Sequence, residues 1–239
     1  PLFLLIMSCG GGEAAEEEPE LDPPGAALSD PDAGWVNPTS VFSCTDPGGG
    51  SFNLTTTTLN QNPGELALWL PARFERPYEV LTELEESPGT LYAGEGIRLT
   101  VLEGTATLSV NGQDFEDCEL DRRTSVWEHA KLSGVDFRAT GNEPGWHLEI
   151  RHDLEASAGK RIRFVYDYGQ HEAVLHAPDP SVDQSARRTI YNGINGELTI
   201  VVEILGEPCQ DSMSGEEFEA TVRIEFQGRG YRGCGRALH

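Results

Sequence analysis

The chain is 239 residues long and carries 17 Lys and Arg against 40 Asp and Glu, a formal net charge of −23. A surface this acidic repels nucleic-acid phosphates and anionic headgroups, so nucleic acid is excluded as a partner and a partner chosen by charge is basic. The length allows one or two domains, and 27 Gly with 15 Pro imply many turns and at least one irregular tract rather than long helices.

The opening run Leu2-Phe3-Leu4-Leu5-Ile6-Met7 is too short to span a bilayer, which takes about 20 apolar residues. No initiator Met precedes it, and it reads as the tail of a signal-peptide h-region over residues 1–8. The order Ile6-Met7-Ser8-Cys9 resembles a bacterial lipobox. That resemblance implies lipidation of Cys9, removal of what precedes it, and a palmitate-bearing anchor in the envelope. Gly10 after the Cys implies the outer membrane, on its periplasmic side.

Residues 9–38 form the expected tether. Eight carboxylates, from Glu13 to Asp32, and four prolines precede the first large aromatic, Trp35, and no cation intervenes. Such a stretch cannot bury enough apolar surface to offset its ordering entropy.

From about residue 39 the pattern changes to alternating runs with a period of two. Ile97, Leu99 and Val101 alternate with their neighbours, as do Ala106, Leu108 and Val110 before the hairpin pair Asn111-Gly112. Further on, Leu148 and Ile150, then Ile162, Phe164 and Tyr166, then Leu198 to Ile204, and finally Ala220 to Phe226 repeat the same signature. The expected fold is all-β: two small antiparallel β-barrel-like domains, residues 39–122 and 132–239, after the acidic linker. Asp121 to Lys131 is the expected boundary and has room for a helical turn.

Four cysteines remain once Cys9 is set aside, an even number in a chain read as exported, so disulfides are expected. Three pairings exist, and proximity with the domain division favours Cys44 to Cys118 and Cys209 to Cys234. No Cys-x2-Cys pair stands in the chain, and His147/His152 and His171/His176 are each five apart, which sends the two rings of a pair to opposite strand faces. No metal or other cofactor is therefore expected. No Gly-x-Ser-x-Gly elbow is present, and the carboxylates alternate outward where solvation is the default, so no catalytic residue and no enzyme is expected.

Two resemblances sharpen this reading. Phe42-Ser43-Cys44, Ser87-Pro88-Gly89-Thr90-Leu91-Tyr92, Val101-Leu102-Glu103-Gly104-Thr105-Ala106-Thr107-Leu108 and Cys118 together resemble the membrane-bound inhibitors of C-type lysozyme. The resemblance implies a barrel whose loop Ser, at Ser87, and a Lys before the strand-pair Gly enter the lysozyme cleft. Gly89 and Tyr92 belong to the same loop. The Lys position reads as Glu103, a carboxylate where two carboxylates would face it, and Arg98 is the nearest cation able to substitute. The resemblance implies an inhibitor of C-type lysozyme acting by protein–protein binding, with that lysozyme or another basic protein as partner; the alternative is a non-inhibitory envelope binding or structural module that keeps only the barrel fold.

The second half is similar to a family of uncharacterised bacterial envelope proteins, through Gly141-Asn142-Glu143-Pro144-Gly145-Trp146, Cys209-Gln210-Asp211-Ser212-Met213-Ser214 and Gly233-Cys234-Gly235. That similarity supports the Cys209 to Cys234 pairing and supplies no activity. Glu143 to Trp146 reads as a tight turn into a strand, with Pro144 fixing φ, Gly145 allowing a positive φ, and Trp146 capping a barrel mouth with its indole N–H bonded. Glu143, Asp211, Ser212, Ser214 and Arg232 are the polar residues expected to converge near the disulfide, with loop capping as their commoner use.

Overall fold

A computed structural model describes residues 38–59, 61–62, 64–84, 89–153 and 159–239. The first eight strands follow the alternation of the sequence: β1 (Thr39–Thr45), β2 (Ser51–Thr58), β3 (Glu65–Trp69), β4 (Tyr78–Leu84), β5 (Thr90–Gly94), β6 (Ile97–Leu102), β7 (Thr105–Val110) and β8 (Gln113–Leu120). Each pairs antiparallel with the next, and β8 returns to β1, so the sheet closes into a barrel without a free edge. The inward residues Phe42, Leu54, Leu68, Leu81, Leu99 and Leu108 are buried and fill it. Asn111, at φ 50°, and Gly112, at φ 84°, make the tight β7–β8 turn that the dipeptide implied.

Cys44 and Cys118 sit directly opposite each other at the β1–β8 closure and are disulfide-bonded, with both sulfurs inside the barrel core. The bond therefore fastens the last strand to the first across the seam where chain connectivity gives no help.

The boundary is more than a turn. Helix α1 (Arg122–Leu132) is capped by Asp121, whose carboxylate accepts from the Thr124 N–H at 2.9 Å, and its last turn carries His129 and Lys131 near the negative end of the helix dipole. It lies between the barrels. Ser125 Oγ accepts from the Val41 N–H at 2.8 Å, His129 Nδ1 lies 3.1 Å from Thr39 Oγ1, and Trp127 packs on Phe218 of the second half.

The second barrel repeats the meander with β9 (Val135–Asn142), β10 (Gly145–His152), β11 (Lys160–Tyr166), β12 (His171–Ala177), β14 (Arg188–Asn195), β15 (Leu198–Leu205), β18 (Ala220–Phe226) and β19 (Arg229–Ala237). β19 pairs with β9, while β12 meets β14 only at His176 and Ile194, so one seam is long and the other a single bridge. Two short additions decorate the ring: β13 (Ser181–Asp183) on the edge of β14, and the hairpin of β16 (Cys209–Gln210) with β17 (Glu217–Phe218). The Cys209–Cys234 disulfide fastens that hairpin to β19. The all-β fold and both pairings thus match the sequence-based expectation.

Candidate functional site

Cys9 and Ser87 lie outside the described residues. Of the other residues singled out in the first barrel, Gly89 and Glu103 come together. Thr90 pairs with Val101, which sets Gly89 against Leu102, and Glu103 stands exposed in the β6–β7 turn immediately beyond. A Cβ on Gly89, held at φ 87°, would fall 2.6 Å from Leu102 Cδ2, so this rim has no room for a larger residue there. Tyr92 points inward opposite Leu99 and packs on the core, and burial followed by the Glu83 charge raises its phenol pKa.

Arg98 does not join them. It pairs with Ala93 and Ser109 beside the β5–β6 and β7–β8 turns, at the opposite rim. Five residues of strand separate it from Glu103, about 17 Å at ~3.3 Å per residue. It cannot substitute for a cation at the Glu103 position, because a strand side chain cannot cover the length of the barrel.

Charge is divided unevenly. Residues 38–120 hold 13 carboxylates against three cations, Arg73, Arg76 and Arg98. Arg76 is committed to Glu79 at 2.7 Å and Glu95 at 2.6 Å, and Arg73 is paired with Asp46. The first barrel is therefore the most acidic folded part of the chain.

In the second barrel the polar residues split into two roles. Asp211 Oδ1 accepts from the Ser214 N–H and hydroxyl, each at 2.7 Å, and from the Met213 N–H at 3.1 Å, while Oδ2 accepts from Asn142 Nδ2 at 2.9 Å. Burial alone would push this carboxyl up; the four donors hold it down at about 2. Ser214 Oγ also accepts from Arg123, and Arg123 reaches Glu216 at 2.6 Å, so Asp211 and Ser214 lock the β16–β17 hairpin onto helix α1. Their role is loop capping. Glu143 and Arg232, in contrast, are left free to face solvent, and together they line two adjoining cavities described below.

Two details of the Glu143–Trp146 turn differ from expectation. Gly145 does not adopt a positive φ; it is required because the Tyr168 ring lies where a side chain would be, with Cδ1 2.8 Å from a built Cβ. The Glu143–Pro144 peptide is cis. Trp146 is buried at the barrel end, but its indole N–H has no partner among the described residues. The ring is accommodated by glycine instead: a Cβ on Gly141 would lie 2.5 Å from Trp146 Cε2 and 2.7 Å from the Arg232 carbonyl. Gly141→Ala is expected to destabilise the second barrel by about 1–3 kcal/mol through overpacking, measured by urea denaturation.

The sequence reading assigned the outward carboxylates of the strands to solvent, and Glu149 overturns that assignment. It is 7% exposed and is bound by Arg138, which is 8% exposed, by Arg151 at 3.3 Å and by Arg163 at 3.6 Å. Trp127 of helix α1 lies 5.5 Å from the Arg138 guanidinium, so the helix packs over β9 and helps remove the Arg138–Glu149 pair from water, while Arg151 and Arg163 stay partly exposed. His147, next along β10, is held neutral: burial, then Arg138 and Arg163, lower its pKa to about 3. In the unfolded chain it titrates near 6.5. Its contribution is complete above pH 6.5, and because the unfolded state then gains a proton that the folded state refuses, stability falls as pH drops from 6.5 toward 3. The expected loss is about 1.4 kcal/mol by pH 5.5, and His147→Gln should remove that part of the slope in urea titrations run at both pH values.

The other histidines remain apart. His152 lies 3.3 Å from Lys160, the His171 ring lies tilted against Tyr166, and His176 Nδ1 lies 2.5 Å from the buried Asp153 carboxylate. Among the described residues no group of three His, Cys, Asp or Glu could hold a metal, and no helix is long and apolar enough to cross a membrane. Comparison of the chain with protein-family models, curated proteins and solved structures gives no match.

Proposed function

We propose that the protein is a lipid-anchored envelope protein, tethered through Cys9 and the acidic segment that follows, whose first barrel binds a basic protein without performing catalysis. The observation that supports this reading is the excess of 13 carboxylates over three cations in residues 38–120, two of the three already engaged with carboxylates of their own. Such a surface steers a cationic partner toward it and raises the encounter rate. The resemblance of residues 40–120 to membrane-bound lysozyme inhibitors makes a C-type lysozyme the partner of choice.

Glu103 favours a particular version of this reading. It stands exposed on the rim that carries Gly89, and Arg98 is at the far rim. A carboxylate pointed at two catalytic carboxylates is repelled, so contact through this rim would engage the cationic surface of a lysozyme rather than fill its cleft. Titrating a C-type lysozyme with the purified chain, following both calorimetric binding and cell-wall hydrolysis, tests it. Binding that weakens steeply between 50 and 300 mM salt is the expected result; absence of binding at micromolar protein overturns the partner. Hydrolysis is expected to continue in the bound state, and Glu103→Lys to convert binding into inhibition. The anchor has its own test: radiolabelled palmitate should enter the protein in bacterial cells and be lost on Cys9→Ser.

A further inference from the structure

The outer face of the second barrel carries a groove of about 670 Å³ running across β14, β15, β18 and β19. Its residues lie on one cross-strand row: Ile190 opposite Glu203, Glu203 opposite Arg223, and Arg223 opposite Arg232. Arg188, one pair further along, also lines it and donates to Glu203 at 2.5 Å, while Arg223 reaches the same carboxylate at 3.3 Å. Two guanidinium groups, Arg188 and Arg223, therefore share one bound carboxylate, and Arg232 stands beside them as a third.

Arg232 has no ion-pair or hydrogen-bond partner for its side chain among the described residues, and the like charge of Arg223 lies directly across from it. Like charges in direct cross-strand opposition are unfavourable by themselves. Glu143 and Glu225 also border the groove, yet neither makes an ion pair with either arginine. On the β14–β15 side Ile190 and Val201, which is 39% exposed, supply the apolar part of the lining beside Arg188 and Glu203. Gly228 and Gly230 keep the floor free of side chains. From β14 to β19 is three strand spacings, roughly 14 Å. Arg232 and Glu143 also border a second cavity of about 430 Å³ that continues past the Cys209–Cys234 disulfide, so the cationic end is open rather than blocked.

We infer that this groove binds a single-chain amphiphilic anion, its phosphate or carboxylate held between Arg223 and Arg232 and its apolar body of about eight carbons lying on Val201 and Ile190. Paired guanidinium groups are the donors best matched to a bidentate oxyanion, and the distance across the sheet sets the length of the apolar part. The site is independent of the first barrel and of any lysozyme contact.

Calorimetry on the full chain with octyl phosphate below its micellar concentration tests the inference, with inorganic phosphate and octanol as partial probes. Octyl phosphate should bind saturably and more tightly than either fragment. Arg232→Gln should weaken it at least about tenfold, the loss expected for one charge-assisted contact, while Arg98→Gln on the first barrel leaves it unchanged. Val201→Asn should reduce the advantage of octyl phosphate over inorganic phosphate without altering phosphate itself. Both arginine variants replace exposed side chains, and unfolding midpoints matching the parent chain would show the fold intact. Octyl phosphate that fails to saturate, or that binds Arg232→Gln as well as the parent, overturns the inference. Cosedimentation of the Cys9→Ser chain with phosphatidylglycerol vesicles separates a free amphiphile from a bilayer headgroup: vesicle binding lost in Arg232→Gln, with no binding of octyl phosphate, would also overturn it.

Discussion

Replacing Cys44 and Cys118 together by Ser is expected to lower the stability of the first barrel by about 4.5 kcal/mol, the largest effect of any substitution pair considered. The bond closes a loop with a sequence separation of 74, and in the chain-entropy description a loop of that size restricts the unfolded chain by this amount. The sulfurs are also part of the packed interior beside Phe42, Phe52 and Phe115, so two hydroxyls placed there would be buried among apolar groups, with the Phe115 carbonyl beside Cys118 as an acceptor for one of them. A small domain commonly has only about 5–15 kcal/mol in total. The measurement is urea denaturation followed by a probe in each barrel, where the first transition should move far to lower urea and the second stay in place. A first barrel that keeps its midpoint without the bond would show that β1 and β8 are held by pairing alone. The corresponding change at Cys209 and Cys234, with a separation of 25, is expected to cost about 3.5 kcal/mol on the same basis and to act on the hairpin of β16 and β17.

Glu149→Ala is expected to cost about 3–5 kcal/mol in the second barrel. Among the described residues Glu149 is the carboxylate bound to Arg138, and its removal leaves a buried guanidinium beneath helix α1 without that counter-charge. One nitrogen of that guanidinium, Nε, already lacks a partner among the described residues, so there is no spare acceptor to take over. The double change Arg138→Met with Glu149→Leu should recover most of the loss, because it removes both desolvated charges and keeps the volume. Equal destabilisation by the single and double variants would mean that packing rather than charge is at stake. Circular dichroism of the thermal transition distinguishes the two, and the Glu149→Ala chain should also loosen the contact of helix α1 with β9.

The strands were legible in the sequence because a period of two is a direct consequence of the pleat: residues such as Leu99 and Leu108 could face a core only if their neighbours faced away. Asn111-Gly112 gave the hairpin for an equally local reason, since both residues tolerate positive φ. The same local logic misplaced Glu149. Alternation tells which side of a sheet a residue is on but not whether a helix will later lie over that side, and the apolar content of Arg122 to Leu132 gave little sign that Trp127 would cover it. Gly145 was misread for a similar reason: its Tyr168 neighbour is 23 residues away, in the turn that follows β11, and arrives only when β11 pairs with β10.

The candidate sites show the same division. Asp211 and Ser214 were identified by sequence and do meet, because three of the four donors to Asp211 lie within three residues of it. Gly89 and Glu103 share a rim because adjacent antiparallel strands return their turns to the same end, whereas Arg98 was separated from them by the direction of β6. The row of Ile190, Glu203, Arg223 and Arg232 could not be read in advance, since its members come from four strands and become neighbours only through the register of three pairings.

By itself the sequence determined the all-β class and the strongly acidic character, and it favoured the two disulfide pairings among three, because alternation, cysteine spacing and charge are properties of the chain before it folds. Only the tertiary structure decided which charges are solvated and which are buried, and which stand beside one another. The net charge of −23 consequently describes no single surface: it combines an acidic N-terminal segment, a first barrel with 13 carboxylates against three cations, and a second barrel with arginines gathered both around the buried Glu149 and along an open row.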